Sequence, residues 1–416
     1  MATVAPKATE YLTERRECPV CFATPEPLIN LGEHYITDFL DTPSPNHVKA
    51  PLESLYCPEC HLFMLRHVVD RDKLYRRYWY RSGTNSTMVA HLQAMAQDGI
   101  ERTGLARGDV VVDIGSNDGT TLNAVPGSAI TIGFEPSNIA EATVAGRHII
   151  KPTYFSNDAY KNIMASKRAN LIFSTAMFYD LPSPQKFVGD IAEIMRGDGL
   201  WILEMNYLGS MLDNNAYDFI GHEHVNLYFI STLNKVLRPE GLVITDIAFN
   251  GINGGSMRAY IRHAQGAVVS PNVGKSLYAE SKGRNPLKYR DFAIKSCGIM
   301  AQIREWVATA ASVGLSVYAK GASTRGMTTL QASGLDSSVI RGAIDINPAK
   351  IGKYMAGVNI PVIDEASPEA DTADYKLILP WGFLEQFKTQ EKDYLDNGGK
   401  LFVAFPTPTV ITKGDV

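Results

Sequence analysis

Residues 110–119 read Val-Val-Val-Asp-Ile-Gly-Ser-Asn-Asp-Gly, and this stretch decides the fold that we predict. Its first five residues are rich in β-branched side chains, which is typical of a buried strand. Gly115 then opens a turn and a predicted helix. A glycine there lets the backbone approach a ligand closely, and a helix start offers free N–H groups to a carboxylate. The stretch therefore predicts a strand, a ligand-binding turn and a helix.

Outward from this stretch, strands and helices alternate. Further strands are predicted over residues 130–134, 171–173 and 199–204, each separated by helical patterns. After a long amphipathic segment, 285–313, the pattern restarts with strands near 316–319, 343–345, 375–379 and 400–405. Such alternation favours parallel sheets covered by helices. We therefore expect an α/β protein with a central Rossmann-like sheet and a smaller C-terminal Rossmann-like domain.

The cofactor is indicated by charge. The second strand ends at Glu135-Pro136, where a carboxylate can hold the two hydroxyls of a ribose. NAD would fit that acid as well, but the first turn lacks the G-x-G-x-x-G form, and Asp118 would repel a diphosphate. A cationic sulfonium is not repelled, so S-adenosylmethionine is favoured. The predicted cofactor-binding residues are Gly115, Asn117, Asp118, Glu135 and Pro136.

Two CxxC pairs, Cys18-Cys21 and Cys57-Cys60, lie in an N-terminal segment rich in proline and expected to be mostly loop. Each CxxC turn can aim two thiolates at one point, and two turns complete a tetrahedral zinc site. A redox dithiol is the alternative, although it would not need two matched pairs. Four thiolates leave no open coordination position, so the zinc is expected to be structural. We predict a zinc-binding module over 1–75, beginning with a polar leader over 1–16, a methyltransferase domain over 76–284, and a linker helix with the C-terminal domain over 285–416.

Composition excludes several classes of protein. The 416 residues are 45% hydrophobic and 20% charged, with a formal net charge of −4, so no polyanionic partner such as nucleic acid is expected. No apolar run reaches the length of a membrane helix, and the first residues do not resemble a secretion signal. We expect a cytoplasmic monomer with no membrane partner.

The catalytic candidates lie after the fourth strand, in Gly-His-Glu-His at 221–224. Methyl transfer to carbon needs a base that removes a proton next to a carbonyl, and imidazole suits that task. His222 and His224 could instead be a metal pair, or hydrogen-bonded loop residues. Downstream, Asn253 to Arg258 contains a turn that forms a tight hairpin or lines an acceptor pocket.

Taken together, the motifs resemble bacterial sugar C-methyltransferases, three-domain enzymes that act on nucleotide-linked keto-deoxysugars. The resemblance covers nearly the whole chain. Besides the CxxC pairs it rests on the segments 80–83, 114–119, 134–137, Glu204 with Tyr207, 223–224, 254–255 and 320–325.

The resemblance implies roles for single residues. His224 matches the general base, Glu223 the acid beside it, and Tyr80 an aromatic residue near the reacting sugar. The loop 321–325 matches a segment that helps hold the acceptor's nucleotide, and its hydroxyls and arginine suit a phosphate in their own right. The predicted substrate-binding residues are His222, Asn253, Arg258, Lys320, Ser323, Thr324 and Arg325.

This chain also departs from the family pattern. Gly221 stands where the family usually has a tyrosine, and the usual Asn and His after the third strand are replaced around Ala176 and Asp180. We expect C-methylation of a nucleotide-diphosphate-linked 4-keto-deoxysugar through an enolate. Alternatives are the same scaffold with a different carbonyl or acid acceptor, and a non-catalytic zinc-containing scaffold.

Overall fold

The computed structural model describes residues 11–143 and 146–415. Residues 1–10 of the predicted leader lie outside the described residues. Near the end of the leader, Leu12–Glu14 form a strand. The N-terminal module contains six strands and one helix: β1 (Leu12–Glu14), β2 (Glu26–Tyr35), β3 (Phe39–Leu40), β4 (Lys49–Tyr56), β5 (Phe63–Leu65), β6 (His67–Val69) and α1 (Arg71–Tyr75).

The expectation that this module is mostly loop was wrong. In β4 the side chains of Leu52 and Leu55 are buried, and β2, β4 and β5 form an antiparallel sheet. The sheet is completed by a short strand from the middle of the chain, Asn226–Leu227, which pairs with β5. A strand contributed from that far along the sequence leaves no local signal, so the sequence of the module alone did not reveal this complete sheet.

The central domain follows in the order α2 (Ser86–Thr103), β7 (Val110–Ile114), α3 (Thr120–Asn123), β8 (Ile130–Phe134), α4 (Ile139–Thr143), β9 (Ile149–Lys151), α5 (Asn157–Met164), β10 (Ala169–Thr175), α6 (Pro184–Ile194), β11 (Met195–Asn206), α7 (Leu208–Asp213), β12 (Asn226–Leu227), α8 (Ile230–Leu237), β13 (Leu242–Asn250), β14 (Ser256–His263) and α9 (Pro271–Gly283).

Seven of these strands form one sheet in the order β13-β14-β11-β10-β7-β8-β9. Strands β11, β10, β7, β8 and β9 run parallel, whereas β14 is antiparallel to both neighbours. All five side chains of β7 are buried, because helices cover both faces of the sheet. The parallel strands bring the residues after β7, β8 and β10 to one edge, where ligands bind in such sheets.

The C-terminal domain contains α10 (Pro286–Ser312), β15 (Val317–Lys320), α11 (Thr324–Ala332), β16 (Ala343–Asp345), β17 (Tyr354–Met355), β18 (Val362–Asp364), β19 (Tyr375–Ile378), α12 (Leu384–Gln390), α13 (Lys392–Asp396), β20 (Lys400–Val403) and β21 (Thr409–Ile411). Its sheet has the order β18-β16-β15-β19-β20-β21, and only β21 is antiparallel.

The predicted fold class is confirmed: two Rossmann-like sheets follow an N-terminal module with clustered cysteines. The predicted domain limits stay predictions. Two short strands pair with strands on the other side of these limits. β12 belongs to the N-terminal sheet, and β17 pairs with β3. None of the described helices is both long and apolar enough to span a membrane.

Candidate active site

A cavity of about 950 Å³ opens where the binding edges of the two Rossmann-like sheets face each other. The N-terminal module, the central domain and the C-terminal domain all contribute to its lining. Most of the predicted site residues line it: Tyr80, Gly115, Asn117, Glu135, Pro136, Glu223, His224, Asn253, Lys320, Ser323, Thr324 and Arg325. Three predicted residues, Asp118, His222 and Arg258, do not.

The turn after β7 has the backbone conformation that its glycines suggested. Gly115 and Gly119 have φ angles of 75° and 77°, in the left-handed region that glycine tolerates best. Asn117, between them, also has a positive φ of 49°, which asparagine adopts more readily than most residues. The turn thus exposes backbone to the cavity beside the end of β8.

Glu135, at the end of β8, is an acid of the cavity whose carboxylate is held by backbone groups. Its two carboxylate oxygens accept hydrogen bonds from the backbone N–H groups of Asn117 and Ser137, each at 2.9 Å. The side chain is only 5% exposed. Burial and the nearby charge of Glu135 raise the pKa of Asp113 to about 7. The carboxylate is therefore held by two backbone hydrogen bonds at the edge of the sheet that faces the cavity.

Asn117 and Asp118 have a task that the sequence did not reveal: they fasten the segment 80–83 over the turn. The Asn117 side chain donates to the Tyr80 carbonyl at 3.0 Å and accepts from Ser82 N at 3.0 Å. Asp118 accepts from Gly83 N at 2.7 Å. Tyr80 therefore reaches the cavity because these two side chains hold its backbone there.

His224 is a buried, neutral imidazole. Its Nδ1 lies 2.8 Å from the Phe219 carbonyl oxygen, so Nδ1 carries the proton and Nε2 keeps a free lone pair. The ring stacks on Phe219 with centroids 4.1 Å apart, and Tyr179 packs edge-on at 4.8 Å. Burial, together with the positive charge of Arg325, lowers the pKa of His224 to about 4. The ring is thus oriented as a proton acceptor at neutral pH.

His222, two residues earlier, lies elsewhere. Its Nε2 lies 3.1 Å from the backbone oxygen of Ala50 in the N-terminal module, and burial lowers the pKa of the ring to about 4. Because His222 does not line the cavity, the structure does not place the two histidines together as a pair facing a ligand. In the described residues, the only cluster of potential metal ligands is formed by cysteines.

Arg258 likewise turns away from the cavity. Its guanidinium binds Glu204 at 2.6 Å, and the same carboxylate is hydrogen-bonded to His91 and to Asn250. Glu204 lines the cavity, so Arg258 acts on the site by holding this acid in place. Asn253, in the turn between β13 and β14, does line the cavity. The same turn is a tight hairpin, so the two structures that we considered for residues 253–258 occur together.

The C-terminal sheet repeats the design of the Glu135 site. Asp345, at the end of β16, accepts from Ala322 N and Asn347 N, each at 2.8 Å. Glu135 is bound in the same way: one backbone N–H comes from Asn117, in the turn after β7, and the other from Ser137, two residues after Glu135 itself. Sequence reasoning missed Asp345, although its place at the end of a predicted strand was a usable signal.

The neighbouring turn starts α11. The Ser323 hydroxyl caps this helix by accepting from Gly326 N at 3.0 Å. Arg325 donates to the Asn253 carbonyl at 2.7 Å, pairs with buried Asp218 at 2.7 Å, and lies 4.9 Å from the Phe219 ring. Lys320 is buried and paired with Glu365 and Glu391. This turn therefore joins the C-terminal domain to the loop of His224.

The four paired cysteines come together as predicted. Their sulfur atoms lie within 4.8 Å of one another, with 3.4 Å between Cys18 and Cys60 and between Cys21 and Cys57. A tetrahedral site with Zn–S bonds of ~2.3 Å requires sulfur separations of ~3.8 Å, so this cluster fits zinc. Cys297 lies apart and is exposed.

Two family models match the chain: a methyltransferase domain over residues 88–247 and a C-methyltransferase C-terminal domain over residues 251–406. Together with the glycine turn and the acid of β8, they define an S-adenosylmethionine-dependent C-methyltransferase. C-methyltransferase NovU of Streptomyces niveus is 30% identical over 368 residues, 87% of this chain and 88% of that protein. The chain belongs to this C-methyltransferase family.

Two solved methyltransferase structures resemble part of the chain. Mitomycin 7-O-methyltransferase MmcR is 17% identical, with 44% of this chain and 55% of that chain covered and a TM-score of 0.35. The plantazolicin methyltransferase BpumL, in complex with S-adenosylhomocysteine, is 10% identical, with 43% and 86% covered and a TM-score of 0.35. Likenesses this weak say nothing about the site.

Proposed function

We propose that this enzyme methylates a carbon next to the ketone of a nucleotide-diphosphate-linked 4-keto-deoxysugar. One observation carries the proposal: a single cavity contains two backbone-anchored carboxylates of the same design, Glu135 and Asp345, together with the buried imidazole of His224. Two such acids suit two nucleosides, that of the methyl donor and that of the acceptor.

The acceptor's nucleotide would bind at the C-terminal sheet. Asp345 would hold hydroxyls of its sugar, as Glu135 would hold those of the donor. The diphosphate would lie at the start of α11, where Ser323 and Thr324 line the cavity and where a helix offers unpaired backbone N–H groups. Arg325 and Lys320 also line this part, although both are paired with acids, so they would position the phosphates more than attract them.

The chemistry follows from His224. Bound S-adenosylmethionine supplies an electrophilic methyl group. Nε2 of His224 takes the proton from the carbon next to the ketone, and the Phe219 carbonyl stabilises the resulting imidazolium through Nδ1. Phe219, rather than Glu223, orients the ring. The proton is released to solvent after methyl transfer, which returns the base to its neutral form.

A second acceptor class is a smaller carbonyl compound or acid. A side chain at Gly221 would start 3.9 Å from Nδ1 of His224, so the family's tyrosine would pack against the base from a position that does not line the cavity. Its absence changes the surroundings of the base and favours an acceptor of a different class. This candidate does not require a nucleotide at Asp345.

We further propose that the cysteine cluster holds structural zinc that supports the active site. The module connects to the base through β5, because Leu65 N donates to the Val225 carbonyl at 3.0 Å and β12 continues the same sheet. Val225 directly follows His224. Metal bound by the cysteines would thus fix one side of the catalytic loop.

Calorimetry with the diphosphates of thymidine, uridine, guanosine and cytidine, in the presence of S-adenosylhomocysteine, tests the acceptor. We expect at least one to bind, and Asp345→Ala to weaken it about 10- to 100-fold, the range for hydrogen bonds to a charged group. Asp364→Ala is the matched control, since this exposed aspartate ends the neighbouring strand β18 and does not line the cavity. No binding by any diphosphate would reject the nucleotide-linked acceptor and favour the smaller one.

A further inference from the structure

Asp180 is an acid of the cavity to which the roles above assign no task. It lies in the short turn after β10 and lines the cavity, as does Glu223. Its Oδ1 is buried and has no hydrogen-bond partner among the described residues. A buried carboxylate oxygen without a partner is uncommon and calls for a ligand or a proton.

Glu223 is equally isolated. Its side chain is 9% exposed, and within residues 11–143 and 146–415 neither Glu223 nor Asp180 forms a salt bridge. Only the backbone oxygen of Glu223 is bound, by the hydroxyl of Tyr75 at 2.9 Å. Glu223 is also free of the task of orienting His224, which the Phe219 carbonyl performs.

The surroundings disfavour two negative charges. Three tyrosines, Tyr75, Tyr78 and Tyr179, surround these two acids. Burial, together with the charges of the acids, raises the pKa of all three phenols, so the phenols stay neutral. Burial raises the pKa of Glu223 to about 7, and burial together with the charge of Glu223 raises the pKa of Asp180 well above its usual range. Arg325, a cation of the same cavity, lies over the Phe219 ring and is paired with Asp218.

From this geometry we infer that one of the two carboxyls, Asp180 or Glu223, retains its proton at neutral pH and donates a hydrogen bond to the acceptor's ketone oxygen. Burial without a cation disfavours two ionised carboxylates in one cavity, and a carboxylic acid kept neutral by an apolar site can stabilise an enolate oxygen. The enolate role rests on the function proposed above, whereas the retained proton does not.

The step is balanced in protons and electrons. The C–H bond next to the ketone breaks, its proton goes to Nε2 of His224, and the electron pair moves to the ketone oxygen. There the carboxyl O–H shortens its hydrogen bond without giving up its proton. As the carbon–carbon bond to the methyl forms and the sulfur–methyl bond breaks, the ketone returns and the hydrogen bond relaxes.

Two measurements test the inference separately. Infrared difference spectra between neutral and alkaline pH, without any acceptor, should show a protonated carboxyl band in the wild type that is absent when both acids are replaced, in Asp180→Asn with Glu223→Gln. Other buried acids such as Asp113 would appear in both proteins and cancel. A wild-type spectrum identical to that of the double variant would overturn the retained proton, whatever the acceptor is.

The second measurement is solvent deuterium exchange into thymidine diphosphate-4-keto-6-deoxyglucose and its uridine counterpart. We expect Asp180→Ala to slow exchange about 100-fold, as for loss of one donor to a developing oxyanion. Asp180→Asn should reduce the exchange rate less, because its amide still donates a hydrogen bond. The exchange rate of this variant should no longer fall at alkaline pH, because the amide does not titrate. Exchange at the wild-type rate in both variants would overturn the enolate role. If the wild type exchanged neither acceptor, the function proposed above would fail, while the infrared band would still decide whether a proton is retained.

Discussion

Replacement of His224 by asparagine tests the proposed base most sharply. With Nδ1–H held by the Phe219 carbonyl at 2.8 Å, only Nε2 is available to accept a proton, and asparagine offers no basic nitrogen. Loss of a positioned general base slows proton transfer about 10²- to 10⁴-fold, or ~3–5 kcal/mol of barrier. The measurement is the rate of acceptor proton exchange and of methyl transfer, followed by NMR and mass spectrometry.

The same variant should bind S-adenosylhomocysteine with unchanged affinity, because the predicted cofactor contacts are at Gly115 and Glu135. The control is His148→Gln, which removes another buried histidine, one that bonds Thr131 and Asn123 and does not line the cavity. Since the pKa of His224 is lowered to about 4, the wild-type rate should not fall between pH 7 and pH 5 through protonation of this ring. Exchange in His224→Asn within a few-fold of the control would refute the assignment.

Three further perturbations follow from the site. Glu135→Gln should weaken S-adenosylmethionine binding about 10- to 100-fold in calorimetry, because a charged acceptor of hydrogen bonds is lost; an unchanged affinity would contradict its role. Cys57→Ser should lose bound zinc in elemental analysis and lower both the melting temperature and activity, whereas Cys297→Ser, a change at the exposed cysteine, should alter none of them. The pKa of His222 is lower in the folded protein than its unfolded value of ~6.5, so the neutral ring stabilises the fold above pH ~6.5 and this stabilisation is lost as the pH falls toward 4. From pH 7 to pH 5 the free energy of unfolding should therefore fall by ~2 kcal/mol more in the wild type than in His222→Gln. Equal losses in chemical denaturation would contradict this.

Much of the fold could be predicted because its strands are short, buried and locally marked. Residues 110–114 and 343–345 are strands with the predicted limits, and each is followed by a turn or acid that marks the binding edge. The cysteine cluster could be predicted because CxxC spacing itself directs two thiolates to one point. In these cases sequence neighbours determine the geometry.

The remaining features depend on contacts between distant segments. Asp118 looked like a cofactor residue, yet its carboxylate binds the backbone of Gly83, because the segment 80–83 folds back over the turn. His222 looked like a partner of His224, yet it packs against the N-terminal module, whose sheet takes β12 from the same loop. Asp180 has only its position after a strand to mark it, and its isolation from cations appears only in three dimensions.

A crystal structure with S-adenosylhomocysteine and a nucleoside diphosphate tests the central claim most directly. The account predicts the donor's ribose on the Glu135 carboxylate, the second nucleoside against Asp345, and the His224 ring facing the gap between the two ligands. An empty cavity in crystals grown with both, or a His224 turned away from the bound molecules or bound to a metal, would contradict it.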